Sequence, residues 1–109
     1  MIHQQHIRAY VRRLAKEFKP ERVILFGSYA YGTPSACSDV DLLMIMPLRK
    51  RGVYQAAEIQ TRLRPNFPLD LLVRSPEKVQ KRLALGDCFM REIITKGRVL
   101  YETADARMD

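Results

Sequence analysis

Two carboxylates stand at the head of an otherwise unbroken apolar run. Asp39-Val40-Asp41 leads into Leu42, Leu43, Met44, Ile45 and Met46, and Pro47 closes the run. A stretch of this length reads as a strand, Val40–Met46, and its continuous apolarity calls for cover on both faces. A sheet covered on both faces belongs to an α/β or α+β sandwich.

The rest of the chain agrees with that class. Residues 2–18 carry Ile7, Tyr10, Val11, Leu14 and Phe18 at steps of three and four, with Arg8, Arg12, Arg13, Lys16 and Glu17 between them. This spacing predicts an amphipathic helix, and Pro20 stops it. Arg22-Val23-Ile24-Leu25-Phe26 is a short apolar run bounded by Gly27, hence a buried strand. A short helix is expected from Ser28 to near Gly32, with Thr33-Pro34-Ser35 as loop. Leu48-Arg49-Lys50-Arg51-Gly52 reads as a basic loop, 53–64 as a helix, and Leu69–Val73 as a third strand. Ser75-Pro76-Glu77 has a capping serine, proline at the first helical position and an acid in the first turn. The helix it opens runs through Leu85 to Gly86. A further helix is expected over 87–96 with Gly97 as its cap, then a short strand Arg98–Tyr101. Strands and helices alternate, some connections are short, and the sheet is expected to be mixed, of about four strands. Residues 102–109 are polar and read as a frayed tail.

With 109 residues there is room for one domain and one core. A chain this small builds a catalytic half-site more readily than a deep pocket, so part of any substrate site is expected from another chain or from the substrate. There are 19 basic against 12 acidic residues, a net charge of +7. Such a surface attracts nucleotides, nucleic acid or an acidic partner protein, and is equally compatible with a plain basic domain. Cys37 and Cys88 form no CxxC pair, and free thiols in a reducing cytoplasm account for them. The first residues, Met1-Ile2-His3-Gln4-Gln5-His6, lack the apolar core of a signal peptide, and no apolar run approaches the ~20 residues of a membrane span.

The chemistry concentrates in Gly27-Ser28, Asp39-Val40-Asp41 and Asp70. On a strand, alternate side chains share a face, so Asp39 and Asp41 point the same way from Cα atoms roughly 6–7 Å apart. Two neighbouring carboxylates repel, so either one takes up a proton or a cation sits between them. Magnesium takes oxygen ligands, commonly one or two carboxylates plus substrate phosphates, and two such ions about 3.5–4 Å apart can clamp a displacement at phosphorus. Asp70 lies in Leu69-Asp70-Leu71-Leu72-Val73, where a charge is costly unless compensated. If its strand neighbours that of Asp39, the three acids form one cluster. Gly27-Ser28 ends one strand and opens a helix, which presents backbone N–H groups and a hydroxyl to an anion. Taken singly, each feature is also what an ordinary turn, strand end or Arg–Asp pair looks like. Their order on three predicted strands points to a magnesium–triphosphate site.

The stretch Gly27-Ser28-Tyr29-Ala30-Tyr31-Gly32 through Ser38-Asp39-Val40-Asp41-Leu42 resembles the signature of the polymerase-β-like nucleotidyltransferase superfamily, and most of all its minimal nucleotidyltransferase (MNT) branch. The ending Gly97-Arg98-Val99-Leu100-Tyr101-Glu102 is similar to the close of these small domains. The resemblance implies a mixed sheet flanked by helices, and transfer of a nucleoside monophosphate, AMP from ATP by default, to a hydroxyl with release of pyrophosphate. It implies two magnesium ions held by Asp39, Asp41 and Asp70, with Asp70 also drawing off the acceptor proton, and the β and γ phosphates held by Gly27 and Ser28. It further implies an HEPN-domain toxin as partner, which the domain would modify as an antitoxin. The rival expectation is a module that neutralises such a toxin by docking alone. One departure stands out: Tyr31 occupies a position where many relatives carry arginine, with Arg8, Arg49, Lys50 and Arg74 as candidate replacements.

Other features carry blander expectations. His3 and His6 are too few for a zinc site. Arg49-Lys50-Arg51 suits a solvated loop or a contact to RNA or an acidic partner. Tyr29 and Tyr31 suit base stacking or packing. Nucleic-acid binding through the +7 charge is a third reading, and homo- or hetero-oligomers are compatible with all three.

Overall fold

The computed structural model describes residues 2–104. The elements run α1 (Gln4–Phe18), β1 (Arg22–Phe26), α2 (Ser28–Tyr31), β2 (Val40–Ile45), α3 (Gly52–Arg62), β3 (Leu69–Arg74), α4 (Pro76–Ala84), α5 (Cys88–Lys96) and β4 (Arg98–Glu102). Every element expected from the sequence is present. Helix α1 starts at Gln4 rather than at residue 2, because His3 is extended at its N-cap.

The four strands form one mixed sheet in the order β3-β2-β1-β4. Strand β1 is antiparallel to both β2 and β4, while β2 and β3 are parallel. The parallel pair follows from α3, which carries the chain back to the starting end of β2 before β3 begins. Alternation along the strands then divides the core. Val23 and Leu25, Val40, Leu42 and Met44, and Leu71 and Val73 pack under α1 and α3. Ile24 and Phe26, and Leu43 and Ile45, pack under α4 and α5 through Val79, Met90 and Ile93. Both faces of β2 are therefore covered, which is why the run after Asp41 has no polar position. Leu42, Leu43 and Met44 are fully buried, each worth roughly 1.5–3 kcal/mol of transfer free energy.

Helix α1 buries Ile7, Tyr10, Val11 and Leu14, as its periodicity predicts. The Tyr10 hydroxyl donates to the Leu63 carbonyl and ties α1 to the end of α3. Ser75 and Asp87 cap α4 and α5, accepting from the N–H groups of Lys78 and Met90. The last strand extends one residue beyond the expected Tyr101. Glu102 lies opposite Arg22, its carboxylate 2.8 Å from the guanidinium, and the Thr103 N–H donates to the Glu21 carbonyl. Glu102 is thus part of the sheet rather than of a frayed tail; residues 105–109 of that expected tail lie outside the described residues. Among the described residues no helix is long and apolar enough to cross a membrane.

Candidate active site

Alternation places Asp41 and Asp70 on the α4/α5 face, at the starting ends of β2 and β3 where helix cover stops. The two are direct register partners in the parallel pair. Side by side at the sheet's end, the two carboxylates repel, and both being ionised is costly unless a proton or a cation compensates them. Burial, the charge of Asp70 and the charge of Asp39 push the Asp41 carboxyl up to about 6 from its ordinary 3.8. Asp39 lies one residue ahead of β2 and, like Asp70, is open to solvent, whereas Asp41 is partly buried. The structure thus brings Asp39, Asp41 and Asp70 into one electrostatic neighbourhood, with Asp41 and Asp70 as register partners. Among the described residues no three acidic, histidine or cysteine side chains stand grouped so as to hold a metal ion by themselves. A cation here would draw its remaining oxygens from substrate, as magnesium commonly does.

Gly27 completes the geometry. Strand β1 runs antiparallel to β2, so Phe26 lies opposite Asp41 and the turn that follows passes beside the acids. Gly27 has φ +74°, and a Cβ there would sit 2.1 Å from Asp41 Oδ2. Only glycine permits both the backbone conformation and the approach of the carboxylate. Its carbonyl accepts from the N–H groups of Ala30 and Tyr31, which forms the single turn of α2. The N–H groups at the head of that turn have no acceptor within the helix, and Ser28 stands there, partly buried beside the acids.

The two tyrosines separate. Tyr29 is 4% exposed, and its hydroxyl accepts from the Ile2 N–H, so it is core. Tyr31 is 42% exposed at the end of α2. Of the basic residues considered as replacements for an arginine there, Arg49, Lys50 and Arg74 lie toward or beyond the finishing ends of β2 and β3, away from the acids. Lys50 is also paired with Glu58 at 2.6 Å. The rings of His3 and His6 meet edge to face and belong to no three-ligand cluster.

Sequence reasoning missed one neighbour. Phe89 of α5 is 53% exposed, and its ring meets that of Phe26 edge-on at 5.8 Å. An aromatic surface therefore flanks the acids on the α5 side. Its trace in the sequence is an apolar residue on the helix expected over 87–96.

The nucleotidyltransferase-domain family matches residues 7–101, from α1 to β4. The chain belongs to that family. A Methanocaldococcus jannaschii protein named as a presumptive protein adenylyltransferase is 28% identical over 103 residues, covering 93% of this chain and all of that one. A presumptive nucleotidyltransferase from Sulfolobus solfataricus has the same fold with a TM-score of 0.63 at 18% identity, over 90% of this chain and 78% of the other. A toxin–antitoxin structure with AMP-PNP aligns at a TM-score of 0.54 and 21% identity, over 93% of this chain and 78% of that one. The domain is a nucleotidyltransferase domain, and these solved structures share its fold.

Proposed function

We propose that this domain transfers AMP from ATP to a hydroxyl on a partner protein, and that the partner is an HEPN-type toxin which it restrains as an antitoxin. The observation that carries the reading is the paired carboxyls of Asp41 and Asp70 beside the Gly27-Ser28 turn. Three acids in one neighbourhood, two of them register partners, form an all-oxygen donor set short of positive charge. That set fits magnesium, which Asp39, Asp41 and Asp70 would hold. When bound, magnesium would neutralise charge on the triphosphate and lower the cost of bringing it beside the carboxylates.

The residues of the chain supply the rest. Ser28 and the N–H groups heading α2 receive the β and γ phosphates, and Gly27 keeps the turn close enough to Asp41 for the α-phosphorus to lie over the acids. The acceptor oxygen forms a bond to the α-phosphorus while the bond to the bridging oxygen of pyrophosphate breaks, and pyrophosphate leaves with that electron pair. The acceptor proton passes to the Asp70 carboxylate, which is open to solvent and can release it. The relatives named for protein adenylyltransfer and for a toxin–antitoxin complex with AMP-PNP support the choice of nucleotide and acceptor class. The free cysteines fit a cytoplasmic setting.

The test is label transfer from α-labelled ATP with magnesium to the partner toxin. Label on the partner, reduced at least a hundredfold by Asp41→Asn or Asp70→Asn, is the expected result. Absence of label with every nucleotide and divalent metal would refute the enzymatic reading. Tyr31 in place of the relatives' arginine favours one rival, neutralisation by docking alone. Under that rival Asp39→Asn with Asp41→Asn leaves neutralisation intact; under the catalytic reading it abolishes neutralisation while the complex still forms.

A further inference from the structure

The end of the sheet opposite the acids holds a second concentration of charge. Where β2 and β3 finish, a surface cavity of about 380 Å³ is lined by Arg51, Gly52, Val53, Arg74, Ser75 and Lys78, among others, and by no carboxylate. Ion pairs among the described residues engage Arg22, Lys50, Arg62 and Arg82, but not these three cations. The nearby acid Glu58 is already taken by Lys50. Arg74 is held in place through Nη1, which donates to the Val73 carbonyl at 2.9 Å, leaving the remaining donors of its fork free. The Ser75 Oγ accepts the Lys78 N–H at 3.1 Å and still has its own proton to give.

The floor of the cavity is kept open by Gly52. A Cβ there would come 2.2 Å from the Val73 carbonyl and 3.3 Å from Arg74 Nη1. A larger residue would therefore fill the space beside the guanidinium. Val53 and its neighbour Tyr54 are 69% and 60% exposed at the same helix start, giving the rim apolar and aromatic surface.

Two guanidinium groups, an ammonium and a hydroxyl around one concavity match the several oxygens of a phosphate better than a lone carboxylate, because the arginine fork bonds two oxygens at once. Basic grooves edged by aromatic residues also suit single strands. We propose that this cavity is a second phosphoanion site, taking phosphate groups of a free polyphosphate or of a single-stranded nucleic acid. Arg74 lies four residues beyond Asp70 on β3, about 13 Å along the strand, so the site is separate from the acids. It does not depend on the proposed reaction.

The test uses the full chain with Asp41→Asn and Asp70→Asn, without divalent metal, so that the acid site cannot contribute. Inorganic pyrophosphate and a short single-stranded RNA serve as probes in titration calorimetry and fluorescence anisotropy. At least one is expected to bind. Arg51→Glu with Lys78→Glu is expected to weaken binding at least tenfold, while Arg12→Glu with Lys16→Glu on α1, which makes the same change in net charge, changes it less than threefold. Arg51 and Lys78 are exposed, so circular dichroism of these variants should match the parent. Binding of pyrophosphate alone identifies a free polyphosphate as the source. Binding of RNA, with affinity falling steeply with salt, identifies a strand. The proposal is overturned if neither probe binds, if the α1 variants lose as much, or if poly-glutamate of matched charge binds as tightly.

Discussion

Asp41 and Asp70 occupy the same register position on the parallel strands β2 and β3, and the charge of Asp70 helps to hold the Asp41 carboxyl above its ordinary range. Such a pair is stable only while a proton or a cation compensates it. The Asp41 carboxyl titrates at about 6 in the folded chain against 3.8 for the ordinary group. Between these values the native state holds a proton that the unfolded state has lost. Its contribution to stability is therefore complete below about pH 4, falls as pH rises, and is gone above about pH 6. Asp41→Asn cannot ionise and escapes this loss. Urea unfolding of both proteins from pH 4 to 7 should show the variant gaining on the parent by on the order of 1 kcal/mol across the window, after allowance for solvent screening. Magnesium at pH 7 should stabilise the parent and not the variant. A stability difference that stays flat with pH would count against the pairing.

The contact between Gly27 and Asp41 yields a second expectation. Gly27→Ala must relieve both a left-handed backbone and a Cβ placed 2.1 Å from the Asp41 carboxylate. The backbone term alone is about 1–2 kcal/mol. Melting temperature should fall by several degrees, and magnesium-dependent nucleotide binding should fall at least tenfold as Asp41 is displaced. Calorimetry with a non-hydrolysable triphosphate measures the second effect; parent-like affinity would show that the turn and the acid do not act together.

Tyr31 offers a gain of function. It ends α2, three residues from Ser28, so the two lie on one side of the turn. Tyr31→Arg would place a guanidinium at the end of α2, where the resemblance to minimal nucleotidyltransferases implies one. Affinity for magnesium–ATP should rise about tenfold, roughly 1.4 kcal/mol. An unchanged affinity in the same titration would mean that the phosphates do not reach the end of α2.

How far the sequence disclosed this arrangement varied with the range of the forces involved. Local periodicity was sufficient for α1, where Ile7, Tyr10, Val11 and Leu14 repeat on one face, and for the doubly covered β2. It also showed that Asp39 and Asp41 share a face. It could not show that Asp70 meets Asp41, because that depends on β3 pairing with β2 in register, a consequence of how α3 packs. The role of Glu102 was hidden for the same reason: its partner Arg22 is eighty residues earlier in the chain. Phe89 came to flank the acids only through the docking of α5 on the face of Phe26.

The most direct test of the gathered acids uses manganese as a paramagnetic stand-in for magnesium. In a nitrogen–proton NMR spectrum of the labelled chain, substoichiometric manganese should broaden first the amides of Gly27, Ser28, residues 39–41 and Asp70. Asp41→Asn with Asp70→Asn should remove that pattern. Broadening centred instead on Glu58 or Asp87, or spread evenly over the exposed acids, would contradict the account.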